Sequence, residues 1–286
     1  MKYAVIDIGS NSVRLLIQSD GKTLYKGLNS TRLGEGIAFS SRLLPAAMER
    51  TALAIKEFKE KALALGVDEV YAFATAAVRS ALNRAEFLST VKRLTGMEID
   101  VLSGEAEASV GLTGALGNAD GGIIDIGGGS TEFTMRINNA VTYSKSIDLG
   151  AVRLYDLCGR DKELLNQTIQ NNIIQFKKVN CAVPVYGIGG TATSLAALAL
   201  GLKTYDGHKV QDFVLQKTQL QTLSDTLFET SVEELMEISC LTPSRAQIIA
   251  GGALLLLRLM EYFQLSAITI SEKDNLEGYL IQRGLQ

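Results

Sequence analysis

The fold turns on one passage: Gly121-Gly122-Ile123-Ile124-Asp125-Ile126-Gly127-Gly128-Gly129-Ser130-Thr131-Glu132-Phe133. An apolar run closes on Asp125, three glycines and a hydroxyl follow, and after Thr131 and Glu132 the pattern is apolar again. That order predicts strand, tight turn, strand. A carboxylate then stands at the lip of the turn, and backbone free of side chains forms its tip. Glycines accept positive φ and let amide N–H groups approach an anion closely. Asp125 repels a phosphate held there unless a divalent cation lies between, so the turn predicts Mg²⁺ or a similar ion as companion.

The same order occurs near the N-terminus, in Tyr3-Ala4-Val5-Ile6-Asp7-Ile8-Gly9-Ser10-Asn11-Ser12-Val13-Arg14-Leu15-Leu16-Ile17. An apolar strand again delivers Asp, Ile, Gly and a hydroxyl, and a second apolar strand follows. Two copies of Asp-Ile-Gly-x-x-Ser/Asn, each heading one half of the chain, read as one supersecondary unit used twice. Facing turns of this kind enclose a cleft able to grip a phosphate chain. Asp7 and Asp125 become candidate metal ligands, and Gly127, Gly128, Gly129 and Ser130 candidate phosphate ligands.

At 286 residues the chain has room for about two domains, and 47% apolar residues suffice for real cores. A formal charge of −3 with no basic stripe argues against a nucleic-acid surface. Cys158, Cys181 and Cys240 are odd in number and lack C-x-x-C spacing, so they read as reduced core residues of a cytoplasmic protein. The single histidine, His208, cannot build a metal site or a proton relay and reads as a loop residue. No targeting segment is evident, and the greasy stretch 248–257 is too short to span a bilayer.

In chain order, 2–8, 13–19 and 22–28 read as strands around a hairpin turn at Ser19-Asp20-Gly21. The loop 31–36 carries Arg32, which either meets an anion or simply lies at the surface. Pro45 opens a helix that Gly66 closes. A buried strand at 70–74 runs through Thr75-Ala76-Ala77-Val78-Arg79 into a helix at 83–94. Arg79 stands just past a strand end, where ligands gather in open α/β sheets, and a cation at a helix start opposes the dipole. It therefore reads as a phosphate ligand. A strand at 97–102 precedes a helix capped at Ser103 or Gly104, with Glu105 and Glu107 in its first turns. Two residues apart, only one of these can face a cleft. Further on, helices are expected at 161–178, 194–200, 216–229, 231–239, from Pro243 past Leu257, and at 272–283, with strands at 140–143, 183–186 and 267–270. Between two of these lies Gly187-Ile188-Gly189-Gly190-Thr191, a second Gly-rich turn leading into a helix, which adds Gly189 and Gly190 to the anion-binding candidates.

Together these pieces resemble the exopolyphosphatase and guanosine-pentaphosphate phosphohydrolase (Ppx/GppA) family. The resemblance is carried by Asp7-Ile8-Gly9-Ser10-Asn11-Ser12 with Arg14, Ala74-Thr75-Ala76-Ala77-Val78-Arg79, Leu102-Ser103-Gly104-Glu105-Ala106-Glu107-Ala108, Asp125 to Glu132, Asp148-Leu149-Gly150-Ala151-Val152-Arg153 and Gly187 to Thr191. It implies an α/β fold of two actin-like (ribonuclease H-like) domains around an interdomain cleft. It also implies Mg²⁺-dependent release of terminal orthophosphate from polyphosphate or guanosine pentaphosphate. On this resemblance Glu107 is the catalytic base that activates water. Asp125 and Glu132 stand near metal and water, with Glu132 counted as both catalytic residue and metal ligand. Ser10, Asn11, Arg79, Gly128 and Ser130 hold phosphates. The lone histidine leaves no Ser–His or Cys–His pair, which disfavours a covalent phosphoenzyme.

The doubled unit places one domain at 1–114 plus 273–286 and the other at 115–272. The chain departs from the family where Val210-Gln211-Asp212 replaces a Val-His-Gly stretch and Asn275-Leu276-Glu277-Gly278 replaces Leu-Arg-Glu-Gly. It reads as a short form, without the helical module that longer members append. Two alternatives follow: a weakly catalytic sensor of (p)ppGpp or polyphosphate, and a kinase of the same superfold using Gly187 to Thr191 for adenosine. A homodimer is suggested by the resemblance and by the apolar segment 248–257.

Overall fold

The computed structural model describes residues 1–285. The chain opens with strands β1 (Lys2–Ile8), β2 (Val13–Ser19) and β3 (Lys22–Asn29). Then come α1 (Ile37–Ser40), α2 (Pro45–Ala64), β4 (Glu69–Ala74), α3 (Ala76–Ser80), α4 (Arg84–Thr95) and β5 (Asp100–Val101). Helix α5 (Gly104–Leu116) leads to β6 (Gly121–Ile126), β7 (Thr131–Ile137) and β8 (Ala140–Ile147). After these come α6 (Ala151–Cys158), α7 (Lys162–Ile173), β9 (Val185–Ile188), α8 (Gly189–Ala199), α9 (Gly207–Val210) and β10 (Val214–Gln216). The chain finishes with α10 (Lys217–Glu229), α11 (Val232–Met236), α12 (Pro243–Tyr262), β11 (Ala267–Ile270) and α13 (Asn275–Gln282).

Two sheets result, ordered β3-β2-β1-β4-β5 and β10-β11-β9-β6-β7-β8. In the first, β1–β2–β3 is an antiparallel meander and β4 joins β1 in parallel. In the second, β6–β7–β8 is the meander and β9 joins β6 in parallel. Apart from the edge strand β10, the order β8-β7-β6-β9-β11 repeats β3-β2-β1-β4-β5 strand for strand. The doubled motif of the sequence is therefore a doubled topology, and the molecule has two actin-like halves. Central strands β1 and β6 are mostly apolar because both faces are covered, each carrying one buried aspartate near its end, whereas edge strand β3 is exposed or half-exposed throughout.

Helices α2 and α4 cover one face of the first sheet, and α13 covers the other, where Tyr279 stacks on Phe73 at 4.7 Å. The second sheet packs on α12, whose 248–257 stretch is almost wholly buried. That stretch is core and is not offered to a partner, which removes it as a ground for a homodimer. Helix α5 lies on the second sheet through Leu112, Ile123 and Ile188, and crosses α13 backbone to backbone. A Cβ on Gly114 would collide with the Asp274 carbonyl, and one on Gly278 with the Val110 carbonyl. Among the described residues no helix is long and apolar enough to cross a membrane.

Several expected spans are shortened, among them the helix placed at 231–239, which contains only Val232–Met236. The strand placed at 97–102 contains only Asp100–Val101, because Met97 turns inward and gives its N–H to Thr95 Oγ1 at 3.1 Å. The helix placed at 161–178 ends at Ile173. A tighter turn there drives Phe176 into the core against Phe263. The last helix starts at Asn275 rather than 272, where Asp274 and Glu277 form a capping box.

Candidate active site

Both Asp-Ile-Gly-x-x-Ser turns close in the same way: Gly9 N–H donates to Ser12 O, and Gly127 N–H donates to Ser130 O, each at 3.0 Å. Neighbouring segments draw the turn carbonyls outward. Arg32 and Gly34 amides bond Asn11 O and Ser10 O, while Ala151, Val152 and Arg153 amides at the start of α6 bond Gly127 O and Gly128 O. Arg153 Nε adds a bond to Gly129 O at 3.1 Å. With those carbonyls tied back, the tips present their N–H sides. The tips also touch: a Cβ on Gly128 would lie 2.7 Å from Ser10 Cβ, so glycine is required by the approach of the other half.

The acids behind the tips sit in equivalent registers with different partners. Asp7 lies opposite Arg14 across β1–β2, and Asp125 opposite Glu132 across β6–β7. In the first half the pair is acid and base: Arg14 Nε and Nη2 reach Asp7 Oδ2 at 3.0 and 2.5 Å, and Nη1 bonds Asp274. In the second half it is acid and acid. Burial, with the Glu107 charge, pushes Asp125 well above the usual carboxylate range, and burial with Glu107 and Asp125 does the same to Glu132. Burial also raises Asp7 against the opposing pull of Arg14. Asp274 is held low despite its burial, because Arg14 and Lys26 outweigh it.

Glu107 comes from the first turn of α5, whose start Ser103 caps by accepting the Ala106 N–H at 3.1 Å. It is buried at the cavity wall while Glu105 is exposed, so one acid of the pair faces the cleft. Arg79 Nη1 donates to Glu107 Oε2 at 2.6 Å and to Leu102 O. Burial raises Glu107 nonetheless, with Arg79 offsetting only part of it. The structure thus puts Arg79 behind Glu107 rather than on the cavity wall. Its guanidinium is held there by the acid it neutralises. Glu132 also stands behind the wall, with Oε1 accepting from Ser146 Oγ at 2.6 Å and Oε2 buried without a partner.

A cavity of about 440 Å³ lies between the halves. Asp7, Ser10, Asn11, Glu107, Asp125, Gly127 to Ser130, Gly189 and Gly190 all line it. Gly189 holds φ at 76°, and a Cβ there would lie 2.5 Å from Asp125 Oδ1. Arg32 is elsewhere: its Nη1 donates to Gln247 Oε1 at 2.6 Å, tying the first half to α12. His208 is exposed in the single turn of α9, and Gln211 and Asp212 bond each other. Cys158, Cys181 and Cys240 are free thiols, and Cys240 lies at the cavity wall.

Sequence reasoning gave no role to three cavity residues. Arg14 sits alone in the apolar strand β2 and Asp274 caps α13. Arg245 occupies the first turn of α12, where a cation opposes the helix dipole, whereas Arg79 lies in the last turn of the short helix α3 rather than at a helix start. The Arg245 guanidinium lies over Gly190 with no carboxylate partner among the described residues. Burial and the Arg14 charge push its pKa down to about 10.

Amide-lined turns, an arginine without a counter-ion and a carboxylate raised above its usual range by burial define an oxyanion cleft of the phosphoryl-handling kind. The sequence signature of the Ppx/GppA phosphatase family matches residues 16–285, and the chain belongs to that family. A bifunctional 3-dehydroquinate synthase/phosphatase of Fusobacterium nucleatum is 30% identical over 98% of this chain, which spans only 46% of that longer protein. Exopolyphosphatase 2 of Mycobacterium tuberculosis is 29% identical, with 97% of each chain covered. A crystal structure of an exopolyphosphatase-like protein superposes with a TM-score of 0.92 at 27% identity, covering 99% of both chains.

Proposed function

We propose that this protein releases terminal orthophosphate from inorganic polyphosphate or a guanosine polyphosphate, using water activated by Glu107. The observation that carries this reading is the pair of like turns, tip to tip around one cavity, with Glu107 on its wall. Exopolyphosphatase relatives support polyphosphate as the substrate class. Amides of Gly127 to Ser130 and of Gly189 and Gly190, with Ser10, Asn11 and Arg245, bind and orient the phosphates. Glu107 takes the proton of the attacking water at a carboxylate oxygen, and Arg79 holds that carboxylate in place.

A divalent cation fits beside these groups in one respect: Asp7 Oδ1 and Glu132 Oε2 are buried oxygens without donors. Among the described residues, however, no three acidic, histidine or cysteine side chains stand close enough to enclose an ion. The residues that would hold it are Asp125, Glu132 and Asp7, with substrate oxygens and water completing its shell, as magnesium prefers. Bound there, it would offset the charge of the phosphates against the acids. We take residues 1–114 with the final helix as one unit and 115–272 as the other, so that α5 carries Glu107 into the cleft between them.

Orthophosphate release from tripolyphosphate, long polyphosphate and guanosine pentaphosphate, with and without magnesium, tests the proposal. Glu107→Gln is expected to cut the rate by about 10²- to 10⁴-fold, while ligand binding persists. Equal rates in both proteins would refute the assigned base. The occupied state of Arg14 favours a second reading, a sensor that binds and hardly turns over; steady turnover would remove it.

A further inference from the structure

Among the described residues, Arg14 is the cavity cation with two carboxylates in direct ion pairs, where Lys26 has one and Arg245 none. Asp7 already takes Nε and Nη2 through one oxygen, which balances one guanidinium with one acid. Asp274 Oδ2 then takes Nη1, leaving the three side chains together with a net negative charge in a cleft read as a polyanion site. Neither residue is a surface group: Asp7 and Asp274 are each only 4% exposed, and all three side chains line the cavity.

The helix start does not require that second acid. Asp274 caps α13 through Oδ1, which accepts the Leu276 N–H at 3.1 Å, and its own N–H goes to Glu277. Serine and asparagine cap helices as well as aspartate, so the cap needs an oxygen and not a charge. The Oδ2 atom is surplus to the cap and is spent on a guanidinium whose planar fork suits phosphate as well as carboxylate.

We infer that Asp274 stands in for a ligand oxygen at Arg14, and that an incoming phosphate must take Nη1 from it. Asp274 is thus a positioning residue that sets affinity. Every ligand meets the same competition at Arg14, but a ligand with several phosphates also gains Arg245 and the turn amides. A lone orthophosphate gains less. Asp274 therefore lowers the affinity of chains and single phosphates alike, which chains offset through those extra contacts, and it speeds departure of the product. The inference rests on reading the cleft as a phosphate site.

Calorimetry with methylenediphosphonate, a non-hydrolysable diphosphate, at fixed magnesium tests it. Asp274→Asn and Asp274→Ser both keep a capping oxygen, and both are expected to tighten binding about tenfold, the scale of one hydrogen bond to a charged group. In turnover, KM should fall by a similar factor while kcat stays level or drops as product lingers. Unchanged or weaker binding in both variants overturns the inference, whatever the turnover. If the wild type binds the diphosphonate yet releases no orthophosphate from any substrate, the hydrolytic reading fails, and tightening in the variants still supports the role of Asp274. No binding by any of the three proteins overturns both.

Discussion

Arg245 and Glu132 carry opposite charges in a similar predicament, since Arg245 is half-buried and Glu132 buried, each without a counter-charge among the described residues. Of the three cationic side chains on the cavity wall, Arg14 and Lys26 are paired with carboxylates and Arg245 is not, while Arg14 repels it. Removing its charge therefore relieves the resting protein and weakens anion binding. Arg245→Met is expected to leave the unfolding free energy unchanged or higher, while diphosphonate binding loosens about 10- to 100-fold, as for a lost charge-assisted contact. A clear loss of stability in a urea melt would contradict this. For Glu132 the sign follows from a pKa that burial, Glu107 and Asp125 lift above its unfolded value. The stability it contributes is complete below about pH 4, where the unfolded chain also holds the proton, and is lost as pH rises through the elevated folded value. Glu132→Gln, which keeps an acceptor for Ser146, should thus be more stable than wild type at about pH 8, with the gap closing toward about pH 4. A gap that widens on acidification would show the carboxylate to be stabilised rather than strained.

At the level of elements, the α5–α13 crossing is the least forgiving contact. Gly278 and Gly114 let two backbones meet where a methyl group would strike a carbonyl on the opposing helix. Gly278→Ala is expected to cost about 3 kcal/mol, at the upper end for overpacking, measured by denaturant unfolding; a neutral result would mean that the helices slide apart freely. Most elements were legible because their periodicity and punctuation agree: Pro45 and Gly66 bracket α2, and Asp20 and Gly21, both at positive φ, turn β2 into β3. Helix α6 was not, since Gly150-Ala151-Val152 has no capping side chain; the carbonyls of Gly127 and Gly128, more than twenty residues away, receive its first amides. Strand β10 is three residues long and exists only through pairing with β11. In the site, the turns and Glu107 could be read from the chain. The diversion of Arg79 to Glu107 and the freedom of Arg245 could not, because each depends on which acids lie within reach after folding.

For the whole molecule, the cavity wall is built from both sheets, and Arg32 with Gln247 and Gly36 with Asp156 already tie the halves together. A ligand that bridges them should raise the stability of the entire chain in one transition, by about 2.7 kcal/mol at a hundredfold excess over Kd. Calorimetric melts that split in two, with only one peak moving on addition of diphosphonate, would show that the ligand engages a single half. The register difference described above has a last consequence for this duplicated architecture. Two copies of one unit, left identical, offer a ligand the same surroundings from either side and cannot tell its head from its tail. With a guanidinium facing the acid in one copy and a second acid facing it in the other, the cleft acquires a direction. A chain of identical phosphates, itself nearly without direction, can be distinguished end from interior there.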